Sequence, residues 1–257
     1  MAKKGYVGID NVARKVTKQY IGVDNVARKV TKGYIGVDNV ARQCYAGGTP
    51  VGELEVGSSV YMNVNGVATE FLVVHQGNPD TTMYDVSCDG TWLLMKDIYE
   101  NRVWNGGGGD TYAESDIHKY LNNEFLNLFD NDTSIKQVKI PYNSGYSKYD
   151  VNNTGANGLS TRIFLLSIRE IGFDEYYSDY SPKDGVRLAY FDDVTKAYIG
   201  EFWWTRSPYV DDLNGLYVWR IAKQYPNDHP YTWYAFGVRP ALILSNEATF
   251  DDNFNIN

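Results

Sequence analysis

Three histidines (His75, His118, His229) and two cysteines (Cys44, Cys88) are the side chains best suited to metal ligation, acid–base work or nucleophilic attack. Their spacing supports none of these. No His-Glu-x-x-His pair places two imidazoles on one helical face, and His118 is expected on the solvated side of a helix. No Gly-x-Ser-x-Gly elbow occurs, and the glycine run 106–109 lacks the Lys and Ser/Thr that follow a phosphate-binding loop. Two cysteines are too few for a disulfide framework, and both are read as structural. Asp211, Asp212, Asn214 and Asp228 offer oxygen atoms to a cation such as calcium, but scattered loop acids are ordinarily solvated. The expectation is therefore a chain with no catalytic residue, no resident metal and no cofactor.

The chemistry that remains is recognition. Residues 209–236 keep neither a helical period nor a sustained alternation, yet eight of the 28 are aromatic, roughly twice the chain's 15%. Tyr and Trp present wide, stiff contact area with few rotors to freeze, while Asn, Asp and His add adaptable polar contacts. The expected ligand-binding surface comprises Tyr209, Asp211, Asp212, Asn214, Tyr217, Trp219, Arg220, Tyr225, Asn227, Asp228, His229, Tyr231, Trp233, Tyr234 and Phe236.

That surface needs a frame. On one side stands Trp-Trp-Thr-Arg-Ser-Pro (203–208), on the other Gly-Val-Arg-Pro-Ala-Leu-Ile-Leu (237–244). Trp203, Trp204 and Pro208 are expected to bury large area beneath the recognition segment, with Gly237 and Pro240 at the return. Arg206 and Arg239 are expected to pair with backbone carbonyls or a carboxylate and pin the two strands. Upstream, 59–65 and 70–75 alternate as strands of a hairpin around Asn65-Gly66, and 91–95 is a short apolar strand. Ser115 caps a helix that turns Ile117, Tyr120, Leu121, Phe125 and Leu128 inward and His118, Lys119 and Asn122 to water. A long Gly/Asn/Ser-rich loop spans 143–160, a strand follows at 161–166, and Ser167 with Glu170 forms a capping box on a short helix that Gly172 stops. A tyrosine-rich loop covers 174–183. The pattern is α+β, and a body of about 210 residues is large enough to bury roughly 70% of its unfolded surface around one core.

The frame WWTRSP…GVRPALIL, the run EFLVVHQGNPDTTMYDVSCDGTWLLMKDIYENRVW (70–104), and IKQVKIPY with GANGLSTRIFLLSIREIG (135–142 and 155–172) resemble a phage-associated family with a C-type-lectin-like fold. That family is more distantly similar to the formylglycine-generating enzymes. The resemblance extends over nearly all of the chain from Val51 onward. It implies strand, helix and long loops, then a terminal hairpin built from the two frame halves. In this family the intervening segment is often rewritten by a diversity-generating retroelement, which leaves variable codons as NNY. Such codons cannot encode Trp219, Lys223, Gln224 or Trp233, and they permit the other 24 residues of 209–236, a count that ordinary composition also produces. The lectin-like enzymes use C-terminal cysteines, and none follows Cys88 here, which argues against their oxidase chemistry. The Glu-Pro-Asn, Gln-Pro-Asp and Trp-Asn-Asp signatures of calcium-dependent sugar binding are also missing. The resemblance implies a non-enzymatic receptor-binding protein on a virion surface, with a host-cell surface protein or glycan as partner. The alternative is a structural virion or assembly protein whose aromatic face is a permanent subunit interface.

Ahead of this body stands a 14-residue repeat used three times: YVGIDNVARKVTKQ (6–19), YIGVDNVARKVTKG (20–33) and YIGVDNVARQCYAG (34–47). Fourteen is two heptads, but a Gly at each third position and the Asp-Asn pair break a coiled coil. Asp-Asn between β-branched residues favours hairpins, with Val23 facing Val26; a flexible spacer is the competing reading. An isolated hairpin is marginal in water, so the repeats are expected to pair with each other or with further chains, giving a homo-oligomer and contacts to other virion proteins. Residues 1–43 carry nine basic and three acidic side chains, a net of +6, while the rest carries 15 basic and 29 acidic, a net of −14. An acidic body argues against nucleic acid as the main partner. No run of 18 apolar residues and no leader pattern is seen, so neither membrane insertion nor a secretory signal is expected.

Overall fold

The computed structural model describes residues 48–130, 132–144, 152–173, 181–210, 216–221, 229–251 and 253–256, and the backbone of 6–9, 12–15, 20–23, 26–29, 32–37 and 40–46. In the N-terminal part each repeat is an antiparallel hairpin, Tyr6–Ile9 with Val12–Lys15, Tyr20–Val23 with Val26–Lys29, and Lys32–Val37 with Val40–Ala46. The innermost pairs are Ile9↔Val12, Val23↔Val26 and Val37↔Val40, and the Asp-Asn dipeptides between them lie outside the described residues.

The body is mixed α+β, mostly sheet with one short helix. Its principal strands are β1 (Ser59–Val64), β2 (Val67–Gln76), β3 (Thr91–Met95), β4 (Glu100–Val103), β5 (Ile163–Phe164), β6 (Trp203–Pro208), β7 (Val218–Ile221), β8 (Ala235–Val238) and β9 (Ala241–Leu244). A five-stranded antiparallel sheet has the order β5-β9-β3-β2-β1, and a four-stranded sheet has the order β4-β8-β6-β7. The β1–β2 hairpin closes Val64 on Val67, with Asn65 (φ 52°) and Gly66 (φ 78°) both left-handed, as a turn matched to strand twist requires. Every residue of β3 and β9 is buried, which explains their unbroken apolar runs: both faces of these central strands meet protein.

The two sheets are stitched by one ribbon. β3 runs on into β4 and β8 into β9, and the crossing is held by Met95 N–H on Pro240 O (2.9 Å) and Tyr99 N–H on Val238 O (2.9 Å). The frame halves therefore do not form a terminal hairpin with one another. β6 pairs antiparallel with β7 and parallel with β8 through Trp203↔Gly237, while Ala241–Leu244 lies in the other sheet. The polar kink at Arg239-Pro240 redirects the chain from one sheet to the next.

The helix departs from its expected form. Ser115 caps it, accepting from His118 N–H at 3.2 Å, but regular α-helix covers only Asp116–Tyr120 before a wider π turn, Leu121–Phe125, and a tighter one, Leu126–Leu128. Ile117, Tyr120, Leu121, Phe125 and Leu126 are buried. His118 and Asn122 do not face water, because the chain around residues 161–165 folds over them. Asn122 Oδ1 accepts from the backbone of Arg162 (2.9 Å) and Ile163 (3.2 Å), and its Nδ2 donates to Ile163 O (2.8 Å). His118 lies 5.0 Å from the Tyr112 ring, and burial pushes its pKa down to about 4. Arg162 thereby interrupts the strand expected at 161–166, which becomes Leu159–Thr161 and Ile163–Phe164. The former pairs with Val138–Ile140, so the expected loop 143–160 ends in a strand; residues 145–151 lie outside the described residues.

Ser167 and Glu170 do form the reciprocal box, Ser167 N–H to Oε2 at 2.9 Å and Glu170 N–H to Ser167 Oγ at 3.0 Å, but on a single turn rather than a helix. Gly172 ends it at φ +90°. Among the described residues no helix is long and apolar enough to cross a membrane.

Candidate binding face

Both faces of β6 are covered, so both of its tryptophans go inside. Trp203 sits opposite Ile221, and Trp204 sits opposite Arg220 on the other side of the sheet. Both tryptophans are fully buried, and each indole N–H is satisfied: Trp203 on Ala197 O (3.1 Å) and Trp204 on Arg102 O (2.9 Å). Trp104 donates to Thr205 O (3.0 Å), and Thr205 Oγ1 to Trp219 O (2.6 Å), tying the sheet to its neighbours. Pro208, Gly237 and Pro240 are buried as well. Gly237 has no room for a methyl group, since a Cβ would stand 2.4 Å from Ile98 Cδ1 and 2.7 Å from Phe202 O. Arg239 is buried, donates from Nε to Met95 O (2.8 Å) and lies 5.1 Å from the Trp203 ring; burial lowers its pKa to about 10.

Outside this frame the rings of the recognition segment form a continuous row. Tyr209 packs on His229 at 3.9 Å with the rings tilted 32°, and His229 meets Trp219 and Tyr217 edge-on at 5.6 and 5.8 Å. Tyr217 packs on Tyr231 at 4.4 Å, and Tyr231 stacks on Trp233 at 4.3 Å and 13°. Tyr234 meets Phe236 at 6.4 Å, and Phe236 closes over Trp204 at 5.0 Å. The Arg220 guanidinium lies over both Phe202 (4.0 Å) and Phe236 (3.8 Å), whose rings meet at 59°. Such ring pairs each stabilise by about 0.5–1.5 kcal/mol beyond area burial, so the row is preorganised. Trp233 is 42% and Tyr234 50% exposed; Tyr209, Tyr217, His229, Tyr231 and Phe236 are half-buried.

One expectation is overturned by burial. Trp219 is 1% exposed, because its position in β7 turns it into the core beside Val218 and Ile221, themselves fully buried. Thr232 is fully buried too: its N–H donates to Leu216 O (2.9 Å), and its carbonyl accepts from the N–H groups of Trp104 (3.1 Å) and Asn105 (3.0 Å). The segment is thus woven into the sheet at 218–221, anchored at 232 and outward at 233–235. Asp211, Asp212, Asn214, Tyr225, Asn227 and Asp228 lie outside the described residues. Among the described residues no group of three or more His, Cys, Asp or Glu side chains could hold a metal ion.

Three features of this region were not read from sequence. Phe202 and Arg102 extend the face, Arg102 lying 3.5 Å over the Tyr120 ring. The glycine loop rims it: Asn105 Nδ2 donates to the Gly108 and Gly109 carbonyls, and a Cβ on Gly108 (φ +79°) would stand 3.4 Å from Leu216. The third is which groups the expected pairing of Arg206 takes, in an ionic cluster under β6. Arg206 grips Glu170 with both terminal nitrogens (2.6 and 2.7 Å) and donates to Pro141 O (3.1 Å), Leu165 O (2.9 Å) and Asp184 O (2.7 Å). Tyr84 OH donates to Glu170 Oε1 (2.8 Å), and Ser207 Oγ to Asp184 Oδ2 (2.7 Å). Burial opposes the charge on Arg206, but Glu170 more than offsets it and raises the pKa. Burial, with Glu170 adding, pushes the Tyr84 phenol well up. The buried Cys88 thiol rises to about 12 for the same two reasons, so the thiolate a nucleophile needs is scarce. The box Ser167-x-x-Glu170 was a visible signal for the carboxylate; Asp184 carried none.

Residues 89–246 match the family model described as a domain of unknown function, DUF6273. No curated protein and no solved structure matches the chain.

Proposed function

We propose that this chain, which belongs to the DUF6273 family, is a non-enzymatic ligand-binding protein of C-type-lectin-like fold that presents the aromatic row of residues 209–236 to a host-cell surface protein or glycan. The observation that carries the reading is the contrast between the frame and the segment it holds. Trp203, Trp204 and Arg206 of β6 are sealed in the interior, while Trp233, stacked on Tyr231, and Tyr234 stand in solvent. Large exposed rings around polar tips are the composition of binding surfaces, and rigidity lowers the ordering cost of association.

In this reading the protein is displayed on a phage virion, the basic N-terminal hairpins join copies of the chain to one another and to other virion proteins, and multivalency multiplies weak single contacts. The retroelement reading is supported at one of its four excluded positions: Trp219, which NNY codons cannot write, is an interior residue that should stay fixed. Trp233 is excluded by the same codons yet exposed, so it is assigned as a constant ring beside interchangeable neighbours. The permanent-interface alternative requires a partner over the same rings in every preparation.

Flow cytometry of the fluorescently labelled full chain over a panel of bacterial strains separates these. At least one strain is expected to bind, and a Tyr231→Ser/Trp233→Ser/Tyr234→Ser variant of unchanged melting temperature is expected to lose about tenfold or more in affinity, as central aromatic contacts do. Equal binding by the variant would remove the aromatic row from the site.

A further inference from the structure

Residues 181–188 are seated on β6 through buried polar contacts that centre on Asp184. Its carbonyl accepts from Arg206, its Oδ2 from Ser207 Oγ, and Ser207 Oγ in turn accepts from Ile168 N–H at 2.9 Å. Val186 N–H donates to Tyr84 OH (3.2 Å), Leu188 N–H to Glu170 O (2.9 Å), and Arg169 reaches the Pro182 and Ser181 carbonyls at 2.5 and 3.2 Å. The approach is close enough that a Cβ on Gly185 would stand 2.7 Å from Ser167 Oγ and 2.9 Å from Tyr84 OH.

The charges in this seat do not balance when every carboxyl is ionised. Glu170 takes both terminal nitrogens of Arg206, and Asp184 receives only a hydroxyl; its Oδ1 is buried with no hydrogen-bond partner among the described residues. Around Asp184 stand Arg206 of β6 and Glu170 and Arg169 of the 167–172 turn, with Tyr84 against the adjoining Gly185 and Val186. A buried anionic oxygen without a donor costs far more than a neutral hydroxyl in the same place.

We propose that Asp184 is a proton-operated latch: with its carboxyl protonated the 181–188 segment stays seated on β6, and on ionisation that seat weakens. Desolvation chiefly raises its pKa, from 3.8 to about 6. Because the folded value lies above the unfolded one, the stability is fully present below about pH 4 and is lost as pH rises through about 6. The latch acts on the frame directly, since Ser207 stands two residues before Tyr209. It holds whether or not the aromatic row binds a ligand.

His75 gives an opposite, separable effect. Its Nδ1 accepts from Ala189 N–H (3.2 Å) and burial lowers its pKa, so protonating it would loosen the neighbouring chain on the acid side.

Amide hydrogen exchange on the full chain tests the latch, with rates at pH 5 and pH 8 corrected for intrinsic chemistry. Protection of residues 181–188 is expected to fall by about tenfold at the higher pH, the part of the two-unit interval that lies above pH 5, and Asp184→Asn is expected to abolish the difference. Equal protection at both pH values in the wild type, or an undiminished difference in Asp184→Asn, overturns it. Should that variant fail to fold, a ¹³C titration of the wild-type Asp184 carboxyl decides: a midpoint near 6 supports the latch, and one at or below 4 overturns it.

Discussion

Replacing Glu170 by Gln is expected to cost about 3–5 kcal/mol, the penalty for leaving one member of a buried ion pair without its partner. The reason is specific to this cluster. Glu170 and Arg206 are fully buried, and the carboxylate also accepts from Tyr84 OH and Ser167 N–H. The amide of Gln would aim two N–H donors at a guanidinium that already has only donors. Thermal melts should record a fall of about 6–20 °C, since about 2–4 °C accompanies each kcal/mol in a domain of this size. Arg206→Met is expected to lose a similar amount. The double variant Glu170→Met/Arg206→Met should recover part of the combined loss, because no unpaired charge remains. A single substitution that shifts the melt by less than about 2 °C would contradict the buried pair.

The second large effect separates two tryptophans in one segment. Trp219→Ala is expected to cost about 3–5 kcal/mol, because it removes a fully buried indole from the core beside Val218 and Ile221. Trp233→Ala should cost about 1 kcal/mol or less, the loss of one exposed ring stack on Tyr231. Urea denaturation of both variants reads the difference. The same logic bears on exchanging the recognition segment: a graft that keeps Val218, Trp219, Ile221 and Thr232 should fold, and one that discards them should not. Similar costs for the two tryptophans would mean that both are surface residues or both interior.

These contrasts show what local sequence can and cannot carry. Asn65-Gly66 between alternating runs specified a hairpin and its register, because turn type and period are properties of adjacent residues. The strand pairs of the repeats and the Ser167/Glu170 box were legible for the same reason. The partner of Glu170 was not, since Arg206 lies 36 residues on and meets it only after β6 has docked. Asn122 resembled a solvated helix residue because its true acceptors and donors belong to residues 161–163. Trp219 was indistinguishable from Trp233, since an aromatic residue serves equally as core or surface and only the pairing of β7 with β6 decides. The two frame halves read as one hairpin because each has the composition of a buried strand, whereas Gly237 pairs parallel with Trp203 and the Arg239-Pro240 kink sends 241–244 to the other sheet.

The most direct test of an interchangeable face on a fixed scaffold is the variation of this gene within a propagated population, read by deep sequencing. The account expects substitutions to concentrate at outward codons such as those of Tyr231, Tyr234 and Ala235, with the codons of Val218, Trp219, Ile221 and Thr232 constant. Variation in 209–236 no greater than in the rest of the body, or spread equally over outward and interior codons, would contradict it.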